Sequence, residues 1–474
     1  MRWTFVTLFL VACASVPPQR VAPLEPIAWA SDSAATELAV LNRVTWGANR
    51  SSYADIARSG TGPWLDGQLR PKRAVLPPDA QAAIDNMTIS QRRIGEIVAE
   101  IEQQRRAFQS AAADDRKAER QAYQQELTRL GREAQTRMLL RALYSPNQLE
   151  EEMTWFWMNH FSVFQQKGPI RALVGDYEEH AIRPYALGRF RDLLGASARH
   201  PAMLVFLDNA RNSAGRLNEN YARELMELHT LGVDGGYTQR DVEALARVLT
   251  GWSLDFAGGE PSRFYPRRHD SSNKQFLGAT IRGRGAAELD EALDLLARHP
   301  STARFVSRKL ALFFVGDDPS PDLVARMAAA FSASDGDIAQ VLRTMFASPE
   351  FRASLGTKFK DPVQYTLSAL RLALDQRPLP DPLPVIAALA RMGEPLYARA
   401  TPDGYPLTQT DWAGPGQLAT RFEIARAIAY RMPTRLSSEL APPVGDATRD
   451  TLAKASSPQE WNLLLLSSPE FMHR

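Results

Sequence analysis

The chain has 474 residues, 44% hydrophobic and 23% charged, with a single cysteine. That composition is globular and excludes disordered, collagen-like and disulfide-stapled proteins. Lys plus Arg total 56 against 54 Asp plus Glu, a formal charge of +2, which gives no electrostatic case for nucleic acid as a partner.

The chain opens on Arg2 and an apolar run from Trp3 to Ala12, too short to span a bilayer and suited to a secretory signal. Leu10-Val11-Ala12-Cys13 resembles the lipobox of bacterial lipoproteins, in which cleavage leaves the cysteine as a lipid-bearing N-terminus. The expectation is a signal peptide over 1–12, lipidation at Cys13 and a membrane partner reached through that anchor. No inner-membrane-retaining Asp follows (Ala14, Ser15), so the expected location is the cell envelope. There the outer membrane is favoured, with the body facing the periplasm or the cell surface. Residues 13–36, rich in Pro, Ala and Ser, read as a flexible tether.

Residues 37–474 read as one mainly α domain, a large multi-helix body with at most one small β-sheet. Short helices punctuated by Gly47, Asn49 and Gly60 come first. From Thr88 to Leu143 proline is absent, and apolar residues recur at helical spacing through Ile94, Ile97, Val98 and Ile101, then Leu127, Leu130, Ala134 and Met138. Straight, that arm (88–143) would run about 80 Å; folding back near Ala111 to Asp115 buries both stripes. EEMTWFWMNHF is an apolar helix, and residues 218–231 and 238–252 are further helices, the second opened by Thr238 and Asp241 in a capping-box pattern. Segments 252–256, 263–265 and 274–281 supply the strands of the small sheet. Ala-Arg-His-Pro (198–201, 297–300) and Ser-Pro-Glu-Phe (348–351, 468–471) each occur twice, as helix-end punctuation.

Standard catalytic motifs are absent: no GxSxG elbow, no Walker loop, no HExxH. Gly414-Pro415-Gly416 nominally opens a dinucleotide pattern, but no strand precedes it and proline occupies the turn. The dense polar segment runs from Leu207 to Val242. In its helix, with Asn218 near the N-cap, Asn220, Arg223, Glu224 and Glu227 share one side, while Leu225, Met226 and Leu228 take the other. One reading is structural, with Arg223 paired to Glu227 at i,i+4. The other uses Glu224 and Glu227 as neighbouring carboxylates whose repulsion raises one pKa. Their expected separation of roughly 5 Å is that of retaining glycosidases. His229 follows on the same helix and can orient or relay a proton. His160, His229 and His269 with carboxylate oxygens could hold a divalent metal, although none has local ligand spacing; no cofactor is otherwise expected.

LNRVTWGANRSSYADI, MTWFWMNHF, LDNARN, NENYARELMELHTLGVDGGYTQRDVEALARVLTGW, HDSSNKQFLG and HPSTARFVSRKL resemble, over essentially the whole mature chain, the bacterial family named domain of unknown function 1800. The resemblance implies an exported protein of mainly helical fold. It also implies an association with an exported partner similar to alkaline phosphatases and sulfatases. Motif positions carried over by it are Asn159, His160, Asp208, Asn209, Asn218, Asn220, Arg223, Glu224, Glu227, His229, Trp252, His269 and Asp270. Two functions are therefore expected. The first is an envelope hydrolase acting on a glycan or other polymer, with Glu224, Glu227 and His229 catalytic and the remaining motif residues binding or supporting. The second is a non-enzymatic, lipid-tethered scaffold or chaperone whose arm docks the phosphatase/sulfatase-like partner.

Overall fold

The computed structural model describes residues 27, 29, 33–256 and 259–474; Cys13, the signal-like run and most of the tether lie outside them. Among the described residues the chain forms 24 α-helices and two two-stranded sheets, a mainly α body. The strands fall where expected but form two separate hairpins. β1 (Trp252–Leu254) pairs antiparallel with β2 (Ser262–Phe264), and β3 (Lys274–Phe276) with β4 (Ala279–Ile281). The 3₁₀ turn Pro266–Arg268 interrupts the chain between them. The second hairpin closes through Leu277 and Gly278, both at positive φ (46° and 78°), the backbone a two-residue turn requires to match strand twist.

The repeated tetrapeptides are helix starts as much as helix ends. The Nδ1 of His200 accepts from Ala202 N (3.2 Å) and that of His299 from Ser301 N (3.1 Å), with Pro201 and Pro300 following as the first helical residues. Ser348 accepts from Phe351 N (3.1 Å) in the same way, while Ser468 accepts from Phe471 N (3.2 Å) at the start of a turn and not of a helix. Each pairs a cap that satisfies a free N–H with a proline that has none to satisfy. Thr238 and Asp241 likewise form the expected capping box.

The arm comprises α1 (Ile94–Ser110) and α2 (Ala113–Tyr144), folded into a hairpin at Ala111–Ala112. Ile97, Ile101, Tyr123, Leu127 and Leu130 bury against one another and against Ala172 in a cluster apart from the main core. Its charges pair within the arm: Arg105 and Arg106 with Glu102, Arg92 with Glu100, and Arg129 with Glu126 and Glu133. The main core is one continuous cluster running from Ile27 to Met472.

Two helices carry the interior of the candidate site. α3 (Gln148–His160) is buried nearly all round, and α6 (Pro300–Phe314) packs close to it; between them in sequence lie α4 (Asn220–Glu227) and α5 (Gln239–Val248). Arg43 donates to Phe314 O (2.6 Å) and Arg474 O (2.6 Å), and Arg474 pairs with the buried Glu152 of α3 at 3.2 Å. This buried network ties α3 to the C-terminal end of α6 and fixes both.

Candidate functional site

α4 is shorter than its sequence pattern suggests, and its ending matters. It stops at Glu227, after which His229 N bonds to Glu224 O (3.1 Å) and Leu231 N to Met226 O (2.7 Å). These wider i→i+5 bonds swing His229 inward. Both its ring and that of His160, at the end of α3, are 1% exposed. Their centroids lie 6.1 Å apart, with Phe161 against each. His160 Nε2 lies 3.0 Å from the His229 carbonyl oxygen, whereas His160 Nδ1 and both nitrogens of His229 have no hydrogen-bond partner. Burial first, then the nearby Lys309 ammonium, holds His160 well below the ordinary imidazole value and His229 down to about 3. Both rings are neutral.

Lys309 of α6 was not singled out by the sequence reading. It projects from the same helix as Phe305, whose ring centroid is 5.6 Å from its Nζ and 6.1 Å from the His160 ring. Gly232, at φ +81°, lets Phe305 approach; a Cβ there would sit 2.9 Å from the ring. No carboxylate or carbonyl accepts from Lys309 among the described residues. Desolvation lowers its pKa to about 8, opposed by Asp403. Asp403 lies in a turn that Asn159 grips: Asn159 Oδ1 accepts from Tyr405 N (2.6 Å) and its Nδ2 donates to Tyr405 O (2.9 Å). Arg399 (2.8 Å) and Thr401 (2.5 Å) complete the hold on the Asp403 carboxylate.

Glu224 and Glu227 are half-buried on the side of α4 that faces this cluster. Burial, then the Glu227 carboxylate, pushes Glu224 up, and Asp403 adds to the effect. Tyr237 stands beside Glu227, its phenol pushed up by burial and by that carboxylate. Arg223 does not pair with Glu227 as the helical spacing allowed. It turns to Glu219 (3.2 Å) and Gln239 (2.9 Å) at the start of α5, so it makes no ion pair with either carboxylate and only partly offsets the rise at Glu224 through its charge.

The other motif residues hold backbone. Asn209 donates to Leu249 O (3.2 Å) and Trp252 O (3.1 Å), and Asn218 to Asp208 O (3.3 Å). Asn220 donates to Leu207 O (3.2 Å). Glu219 takes the cap position of the helix, and Asn218 next to it supplies the side-chain acceptor, its Oδ1 accepting from Asn220 N (3.0 Å). Asp208, at φ +60°, pairs with Lys167 at 2.8 Å. Trp252 receives the Arg199 guanidinium on its ring at 5.5 Å, and Asp270 is bound by Arg247 at 2.7 Å, which holds its carboxyl well below the usual range. His269 does not join His160 and His229. Its Nδ1 faces Thr250 O (2.8 Å) and its Nε2 faces Glu288 (2.9 Å), whose other oxygen takes the buried Lys274 ammonium at 2.5 Å. Among the described residues no group of three or more His, Cys, Asp or Glu side chains could hold a metal ion. None of their helices is long and apolar enough to cross a membrane.

The family model described as "Protein of unknown function (DUF1800)" matches residues 39–473. The chain belongs to this family. No curated protein and no solved structure matches it. In this DUF1800 protein, then, the matched stretch contains both the Glu224–Glu227 face and the elements behind it. Asp403 and Tyr237 join that face, and Lys309 and Phe305 join the buried histidines, only through the fold. Their one local signal is the i,i+4 spacing of Phe305 and Lys309 on an amphipathic helix.

Proposed function

We propose that the protein is a cell-envelope hydrolase that cleaves a glycan or related polymer by acid–base chemistry at Glu224 and Glu227. The observation that carries this reading is the raised Glu224 carboxyl beside Glu227, not ion-paired to Arg223 and half-open to solvent. A carboxyl of raised pKa beside a second carboxylate is an arrangement in which the first can donate a proton to a leaving group while the second acts as base or nucleophile. Glu224 is the acid and Glu227 its partner. Lys309 supplies positive charge where negative charge develops, and the unpaired nitrogens of His229 offer a proton-relay position behind it. Asn159 positions the Asp403 turn.

The polymer would be met at the envelope, with Cys13 as the lipid attachment. Replacing it by alanine releases the protein from the membrane fraction; unchanged partitioning refutes the anchor. A role as a scaffold for an exported phosphatase-like partner is less favoured, because the arm's apolar stripes are buried against one another and against Ala172. The test of the enzymatic reading is a broad glycan and ester screen with wild type and Glu227→Gln, with thermal stability measured alongside. Turnover by wild type that Glu227→Gln loses at unchanged stability supports it. Loss of stability in the variant, with no substrate turned over by wild type, refutes it.

A further inference from the structure

A cavity lies between α7 (Pro362–Leu374), α8 (Leu383–Arg391) and α9 (Pro415–Ala429). Its volume is about 360 Å³, within the ~300–1,000 Å³ range of small-molecule sites. Leu370 and Leu374, Val385 and Ala388, and Ile424 and Ile428 form its floor, two from each helix and all buried. No aromatic residue lines it, so it offers no platform for stacking a sugar or a nucleobase.

The rim has the opposite character. Arg377, Arg391 and Arg431 line it against a single carboxylate, Asp381. Arg391 and Arg431 are exposed, and among the described residues no carboxylate pairs with either. Asp381 is engaged with Leu383 N at 2.9 Å, and Arg377 donates to Leu374 O (3.4 Å) and Ala373 O at the end of α7. Many of the protein's other surface arginines, such as Arg105, Arg129 and Arg191, have carboxylate partners. A dry floor and a cationic rim complement a ligand with an apolar tail and an anionic head.

We propose that this cavity binds a single alkyl chain carrying an anionic head, a fatty carboxylate or an alkyl phosphate, with the tail on the floor and the head among the rim arginines. At the ~30 Å³ that a water-sized group occupies, the space takes a chain on the order of ten carbons. The site is separate from Glu224 and does not depend on the reading given for it.

The experiment is calorimetric titration of the full chain with dodecanoate, dodecyl phosphate and dodecyltrimethylammonium, each below its micelle concentration. A parallel arm uses phosphatidylglycerol vesicles. The expected result is saturable one-to-one binding of both anions, with the cation weaker by about ten-fold or more. Ala388→Trp, which fills the floor, abolishes binding. The surface double variant Arg391→Gln/Arg431→Gln folds normally and weakens both anions by about ten-fold or more. Equal affinity for cation and anion would overturn the proposal, as would anion binding unchanged in the folded double variant. Association with vesicles, or with an amphipathic peptide, in the absence of monomer binding would also overturn it.

Discussion

His160 Nε2 lies 3.0 Å from the carbonyl oxygen of His229. A carbonyl only accepts, so Nε2 carries the proton and Nδ1 presents a bare lone pair. With both His229 nitrogens also unpaired, three imidazole nitrogens are buried without partners. Stability alone does not account for them, since an unsatisfied buried polar atom costs about 1–3 kcal/mol. Function does, if one ring must accept or pass a proton.

Replacing His229 by leucine separates the two. At pH 7.5 the variant is as stable as wild type or more so, by about 1 kcal/mol, while turnover falls on the order of 10²-fold. Denaturant unfolding with parallel rate measurements reads both. A loss of several kcal/mol with turnover retained assigns the ring a packing role only.

The same rings dictate an acid limit. Their folded values lie below the unfolded value of about 6.5, so the unfolded chain binds protons that the folded chain refuses. Stability is full above that value and is lost as pH falls toward about 3, the value His229 reaches when folded. Each ring contributes up to ~1.4 kcal/mol per pH unit. Urea midpoints at pH 7.5 and 5 should therefore diverge less in His229→Leu than in wild type. Equal divergence would mean that His229 is not buried neutral.

Lys309 sets the alkaline side. With its pKa down to about 8, the site loses positive charge as pH rises through that value, and kcat/KM falls with it. Lys309→Met lowers the rate at pH 7 by on the order of 10²-fold and removes that limb from the profile. A wild-type profile flat from pH 7 to 9 would contradict the role.

Asn159 acts through the turn it grips. Asn159→Ala forfeits two hydrogen bonds to Tyr405, at about 1–2 kcal/mol in all, and releases Asp403. Gly404→Ala is harsher, because its Cβ would lie 2.2 Å from Asn159 O at φ +78°. Both variants lose turnover, and Gly404→Ala also loses more stability. An Asn159→Ala enzyme with wild-type rates would show that the turn has no part in the site.

Much of this was legible in the chain and some was not, for physical reasons. The capping box at Thr238 is local chemistry, so spacing reveals it, whereas His200 and Ser348 read as helix ends and turn out to cap the helices that follow. The carboxylate face of α4 follows from helical geometry in the same way. Arg223 had two partners in reach along the chain, Glu227 and Glu219, and only the packing of α5, which brings Gln239, selects Glu219. His269 looked like a partner of His160 until β3 and the buried Glu288 engaged it. Lys309 and Asp403 lie about a hundred residues apart in sequence, and no pattern links them before the fold does.

The buried trio of His269, Glu288 and Lys274 makes the complementary case of charge without catalysis. Lys274→Met strands the fully buried Glu288 carboxylate and destabilises the protein by about 3–5 kcal/mol. It leaves KM and kcat near wild type in whatever fraction stays folded. Thermal melts and active-site-normalised rates check this, and a selective fall in kcat would move the trio into the site.

The account turns on Glu224. The deciding measurement is kcat/KM against pH for wild type and Glu224→Gln on one glycan that wild type cleaves, with melting temperatures of both. The prediction is a loss of on the order of 10²–10⁴-fold at unchanged melting temperature, with the wild-type profile falling as a carboxyl of raised pKa loses its proton. Glu224→Gln turning over at the wild-type rate would contradict it.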